Sequence, residues 1–164
     1  MNKASEKQKK IQELCLSKNI KISTAESCTG GYLSKLLTDV SGSSKFYVGS
    51  IIAYSNEVKC DLLNVPNNIL EKYGAVSEEV ALLMAEGIYK SIKSDIAIST
   101  TGVMELEDSS KAKKPQVFIA IKSDKTHMLY HFYLQGERDI NRKKTVNHVL
   151  DCLYDFINKN YLVS

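Results

Sequence analysis

Ser27 sits in the run Thr24-Ala25-Glu26-Ser27-Cys28-Thr29-Gly30-Gly31. A β-rich stretch, Ile20 to Thr24, leads into it, and a helical pattern, Gly31 to Leu37, leads out. Small hydroxyls and paired glycines therefore fall where a strand turns into a helix. Such a turn aims free backbone N–H groups and the positive end of a helix dipole at one point. An anion, or the oxyanion of an acyl-transfer intermediate, could be held there. The same residues also fit a plain Thr29 N-cap and a plain Gly30-Gly31 tight turn. Cys28 is a rival nucleophile; it ranks below Ser27 because a neighbour on a turn generally points elsewhere.

A second polar cluster, Tyr54-Ser55-Asn56-Glu57-Val58-Lys59, follows the most β-branched segment of the chain. Ligands of α/β sheets bind at strand ends. Two strands ending on one side would bring Tyr54, Ser55 and Lys59 near the Ser27 turn. Burial and a nearby helix terminus depress a lysine pKa, which lets the amine take a hydroxyl proton. A Ser–Lys dyad needs no histidine. The alternative is that Asn56 caps a helix and Lys59 is solvated. A third cluster, Gly136-Glu137-Arg138-Asp139-Ile140-Asn141-Arg142, carries two arginines at i and i+4, which share a helix face. A guanidinium fork suits a phosphate or carboxylate. Surface arginines at a helix start are the alternative.

These clusters need elements to hold them. Residues 5–18 read as an amphipathic helix with Ile11, Leu14 and Cys15 inward, 20–25 as a strand, and 29–38 as the helix after the glycine turn. Phe46 to Tyr54 reads as a buried strand. Short helices are predicted over Asn56 to Leu63 and 67–73, the second restarted by Pro66. Ser77 caps a helix over 78–92, and Asp95 to Thr101 is a strand. Gly102 to Pro115 is a polar loop, and Val117 to Lys122 and Met128 to Leu134 form a hairpin. The last helix runs from about Asp139 to Asn158. Alternating strands and helices followed by a hairpin predict a three-layer α/β/α domain with a mixed sheet.

Bulk properties narrow the classes. The 164 residues suffice for one domain, with no linker or repeat to divide it. A net charge of +3 and short basic clusters argue against nucleic acid as a partner. Cys15, Cys28, Cys60 and Cys152 form no metal-ligand spacing with one another or with the three histidines. His127 and His131 read as surface strand residues and His148 as a helix residue. The N-terminal run MNKASEKQKK lacks the apolar core of a signal peptide, and no apolar run has membrane-spanning length. A reduced, cytoplasmic protein is expected.

Taken in order, TAESCTGG, Gly42-Ser43-Ser44, AYSNEVK (Ala53 to Lys59), GAVSEEVA (Gly74 to Ala81), Thr101-Gly102 and GERDINR resemble the CinA C-terminal domain family, typified by nicotinamide-nucleotide amidase. The resemblance spans nearly the whole chain, and many relatives carry the domain behind a larger N-terminal one; this chain looks like the stand-alone form. The resemblance implies hydrolysis of the carboxamide of nicotinamide mononucleotide to nicotinate mononucleotide and ammonia, with no metal or other cofactor. It assigns the nucleophile to Ser27 and further catalytic roles to Lys59 and Tyr54. A functional arginine falls on Arg138 or Arg142, with Arg142 favoured. Substrate-binding roles are expected of Thr29, Gly30, Gly31, Thr101 and Gly102. Relatives also associate, so a homo-oligomer (a dimer or higher) is expected, with Tyr130, Phe132 and Tyr133 near an edge hairpin to support it.

The chain departs from the family after Gly102. A glycine-rich loop gives way to Val103-Met104-Glu105-Leu106-Glu107-Asp108-Ser109-Ser110. Glycines let backbone approach a ligand closely, whereas carboxylates repel a phosphate. The expectation is a mobile loop over 103–113 that disfavours the nucleotide. The alternative function is therefore a catalytically weak or inactive binding or scaffold protein.

Overall fold

A computed structural model describes residues 3–161. Five strands form one mixed sheet in the order β2-β1-β3-β4-β5. Its centre is β1 (Ile22–Glu26), parallel to both β2 (Tyr47–Ile52) and β3 (Ile96–Val103). The strand β4 (Gln116–Lys122) runs antiparallel to β3, and β5 (His127–Tyr133) runs antiparallel to β4. The hairpin between them closes where Ser123 N–H donates to Thr126 O at 2.8 Å.

Strand alternation splits the core into two layers. Ile22, Ile96, Ile98, Ile119 and Ile121 face one way, against Ile11 and Cys15 of α1 (Lys3–Ser17), Leu33 and Leu37 of α2 (Tyr32–Thr38), and Val149, Leu153 and Phe156 of α6 (Arg138–Asn160). Ala25 and Ala97 face the other way, with Leu63 of α3 (Asn56–Leu63), Leu70 of α4 (Asn67–Tyr73), and Val80, Met84 and Ile88 of α5 (Glu78–Ser91). Ala81 and Ala85 of α5 pack with Ala120 of β4. Small side chains there let the helix lie close enough for the Ser99 hydroxyl to donate to Ala81 O. Helices on both faces of a mixed sheet make this the expected three-layer α/β architecture.

Capping explains why the short helices stop and start where they do. Ser55 and Ser77 hydroxyls accept the N–H groups of Val58 and Val80, each at 3.3 Å, and so open α3 and α5. Pro66 stands immediately before α4. One expectation needs correction. The β-branched segment over 46–54 predicted a buried strand, but β2 is an edge strand, with Val48 at 47% and Ile52 at 50% exposure. Apolar composition reports a pleated surface, not a neighbour on each side.

Candidate active site

Because β1, β2 and β3 are parallel, their C-terminal ends share one edge of the sheet. Ser27 follows the last residue of β1, Tyr54 lies just beyond β2, and Thr101 and Gly102 end β3. A cavity of about 290 Å³ opens there. Ser27, Cys28, Tyr54, Asn56 and Lys59 line one side, residues 101–105 with Glu107 and Ser110 another, and Arg138 closes it from α6.

Lys59 is carried inward by α3 and is only 1% exposed. Its Nζ donates to the Tyr54 main-chain carbonyl at 3.1 Å. Burial holds its pKa below the usual 10.5, because a charged amine is disfavoured out of water. Tyr54 therefore orients Lys59 through backbone, while its phenol oxygen accepts from Arg138 Nη2 at 2.6 Å. Ser27 is 8% exposed and fixed by its N–H donating to Thr100 O at 3.0 Å. Its hydroxyl faces the same cavity as Lys59, with no direct hydrogen bond between the two side chains. Burial pushes the Cys28 thiol up to about 12, so at neutral pH it is a protonated and poor nucleophile.

The turn after Ser27 is filled from within. Glu26, fully buried, folds its carboxylate onto the first turn of α2. It accepts from Thr29 Oγ1 at 2.7 Å, and from the N–H groups of Gly31 at 3.0 Å, Leu33 at 3.1 Å and Ser34 at 2.8 Å, with the Ser34 hydroxyl a further donor. Gly30 N–H donates to Ser27 O at 3.0 Å. Gly31 has φ +93°, a left-handed conformation that glycine adopts without strain. Thr29, Gly30 and Gly31 thus build the turn and do not line the cavity.

Of the two arginines, Arg138 reaches the cavity; Arg142 does not line it, and its Nε is buried without a partner. Asn141, between them, is fully buried and donates from Nδ2 to Met104 O and Gly136 O, each at 2.7 Å. It ties the altered loop to α6. Met104 is buried in the core, so the loop expected to bury little is anchored at its first turn. Thr101 donates to Ala75 O at 2.7 Å. A Cβ on Gly102 would meet Gln116 O at 2.4 Å, so its glycine is required by the approach of β4. Sequence reasoning did not find Glu26, Asn141 or Met104. Glu26 lay in plain view beside Ser27, and its acidity at a helix start was the available signal.

A larger cavity, about 440 Å³, lies at the opposite end of the sheet around Asp95, Asp124 and Tyr161 and holds no candidate nucleophile–base pair. His131 stacks on Phe118 and His148 on Phe132, away from Ser27. Among the described residues no group of His, Cys, Asp and Glu could hold a metal ion, and no helix is long and apolar enough to cross a membrane.

Fold and site together define a three-layer α/β protein whose strand-end cavity pairs a serine turn with a buried lysine. The chain belongs to the CinA C-terminal domain family, which it matches over residues 4–157. It is 41% identical over 144 residues to a CinA-like protein of Dictyoglomus thermophilum, covering 87% of this chain and 35% of that one. A CinA-like protein of Cytophaga hutchinsonii is 38% identical over 143 residues, covering 86% and 34%. The chain spans about a third of the length of these curated relatives. Among solved structures, the competence/damage inducible protein CihA of Agrobacterium tumefaciens superposes with a TM-score of 0.89 at 31% identity, covering 96% of this chain and 97% of that one. A competence or damage-inducible protein of Enterobacter asburiae gives 0.90 at 28% identity, covering 96% and 99%.

Proposed function

We propose that the protein is an amidohydrolase that cleaves a primary carboxamide of the nicotinamide-nucleotide type, with Ser27 as nucleophile and Lys59 as general base. The observation that carries this reading is the buried Lys59, held below its ordinary pKa, in one cavity with a serine fixed on a strand-to-helix turn. Ser27 Oγ attacks the carboxamide carbon while Lys59 takes the hydroxyl proton. The oxyanion is received by the N–H group of Cys28, which lines the cavity beside Ser27. Lys59 returns the proton to the departing nitrogen, ammonia leaves, and an ester to Ser27 remains. A water then attacks that ester, gives its proton to Lys59, and releases the carboxylate as Ser27 regains its hydrogen. One amide and one water yield one acid and one ammonia. Tyr54 serves by its main-chain carbonyl, and Arg138 is the cavity's candidate for a substrate anion.

The second reading, a weakly active or inactive binding protein, draws on Glu105 and Glu107 at the cavity. Ammonia release from nicotinamide mononucleotide and related carboxamides, measured beside Ser27→Ala, separates the two. Turnover should fall about 10³-fold or more in the variant. Ammonia release by neither protein above the uncatalysed rate would transfer the function to the binding-protein reading, and release undiminished in Ser27→Ala would remove Ser27 as the nucleophile.

A further inference from the structure

We infer that Thr29 is a positioning residue for the nucleophile: it holds the Ser27 turn through a one-way relay of buried hydroxyls that runs from Thr100 through Thr29 to Glu26. The inference rests on the amidase reading and names what sets the geometry of that same site. Ser27 to Gly30 form one tight turn, closed where Gly30 N–H donates to Ser27 O at 3.0 Å. The turn is anchored twice to a single residue of β3. Ser27 N–H donates to Thr100 O at 3.0 Å, and Thr29 Oγ1 lies 2.8 Å from Thr100 Oγ1. Thr100 stands opposite Glu26 in the β1–β3 ladder, and Glu26, Thr29 and Thr100 are all fully buried.

The relay's direction follows from the hydrogens available. Gly31, Leu33 and Ser34 present backbone N–H groups to the Glu26 carboxylate, and an N–H can only donate. Thr29 Oγ1 meets the same carboxylate at 2.7 Å and gives it its single hydrogen. The Thr29 oxygen must then accept from Thr100, which fixes the orientation of the Thr100 hydroxyl. Hydrogen bonds in series polarise and strengthen one another, the more so when they end on a charged group. Thr29 does not line the cavity, so it touches no substrate. Ser27 and Cys28, which precede it in the turn, do line the cavity. Without the Thr29 hydroxyl the turn keeps its backbone anchor at Ser27 and can pivot about it. That pivot carries the Ser27 oxygen and the Cys28 N–H out of register with one carbonyl group. A misplacement of about 1 Å costs on the order of 10²-fold in rate.

The test compares Thr29→Val, which keeps the shape and removes the hydroxyl, with Thr29→Ser, which keeps the hydroxyl. Thr100→Val removes the donor and leaves the Thr29–Glu26 bond in place, so it serves if Thr29→Val does not fold by circular dichroism. Ammonia release from nicotinamide mononucleotide is resolved into kcat and KM. In parallel, Ser27 is reacted with diisopropyl fluorophosphate and followed by intact mass: Ser27 Oγ bonds to phosphorus, fluoride leaves, and Lys59 takes the proton. Thr29→Val should lose about 10–100-fold in kcat and in labelling rate, with KM changed by less than about twofold. Thr29→Ser should recover most of both losses, and Thr100→Val should fall between the two. A threonine that only stabilises the fold would lower the melting temperature and leave kcat and labelling of the folded protein unchanged, and that result would overturn the inference. So would an unsubstituted protein whose Ser27 does not react, or a serine variant as slow as the valine. Labelling that follows the predicted order with no ammonia released by any of the proteins would sink the amidase reading and leave the placement of Ser27 standing.

Discussion

Lys59 has almost no contact with solvent and one hydrogen bond, to Tyr54 O. A buried amine so thinly supported destabilises the fold, because the unfolded chain holds its proton more readily. Its folded-state pKa lies below 10.5, so its contribution to stability is lowest below the folded pKa and recovers as pH rises through the folded pKa towards 10.5. Two outcomes follow for Lys59→Met. Carboxamide turnover should vanish, while denaturant unfolding at neutral pH should show stability unchanged or raised by about 1–3 kcal/mol. In the unsubstituted protein, turnover should rise along a basic limb whose midpoint falls below 10.5. A limb at or above that value would mean that Lys59 is not the base.

At the scale of elements, the turn between β1 and α2 depends on Glu26. Replacing its carboxylate by the amide in Glu26→Gln sets an NH2 against donors that now point at oxygen. Removing charged acceptance from several buried donors should cost about 3 kcal/mol or more in denaturant unfolding, and the helix start should loosen. Little of this was legible beforehand. The sequence pattern located the turn, α3, α4 and the hairpin, because serine and proline caps and alternating strands are local signals. It could not reveal that a strand-end carboxylate would bend onto the helix that follows it, since that requires knowing where the chain goes next. The resemblance favoured Arg142, whereas Arg138 is the arginine at the cavity: both share a face, but the rise of one helical turn separates a side chain at the cavity from one beside it. Glycine at 102 invited a ligand explanation, whereas its real constraint is the neighbouring strand, hidden in a local reading because Gln116 and Val117 are distant in sequence. Met104 escaped because a lone apolar residue in a polar loop carries no period.

For the whole molecule, the sheet is not equally secure across its width. All five residues of β1 are buried, and β1 pairs on both sides, as does β3. The edges β2 and β5 pair on one side only. Hydrogen exchange should therefore be slowest in β1 and β3 and fastest in β2 and β5. Equal protection of β5 would point to a strand supplied by a second copy, the association expected from Tyr130, Phe132 and Tyr133, and sedimentation would read it directly. Tyr133, at 65% exposure, is available for such a contact.

The enclosure of Glu26 reaches further than the turn it caps. Ionic strength acts on charges that dissolved ions can approach, over roughly 8–10 Å at physiological salt. The Glu26 carboxylate is sealed beneath α2, whereas Glu105, Glu107 and the Arg138–Tyr54 link lie in contact with solvent. Added salt should thus weaken the capture of a charged ligand and leave the poise of the nucleophile untouched. In kinetic terms the molecule separates its two tasks: an electrolyte-sensitive mouth would show in KM, and an electrolyte-blind interior in a constant kcat.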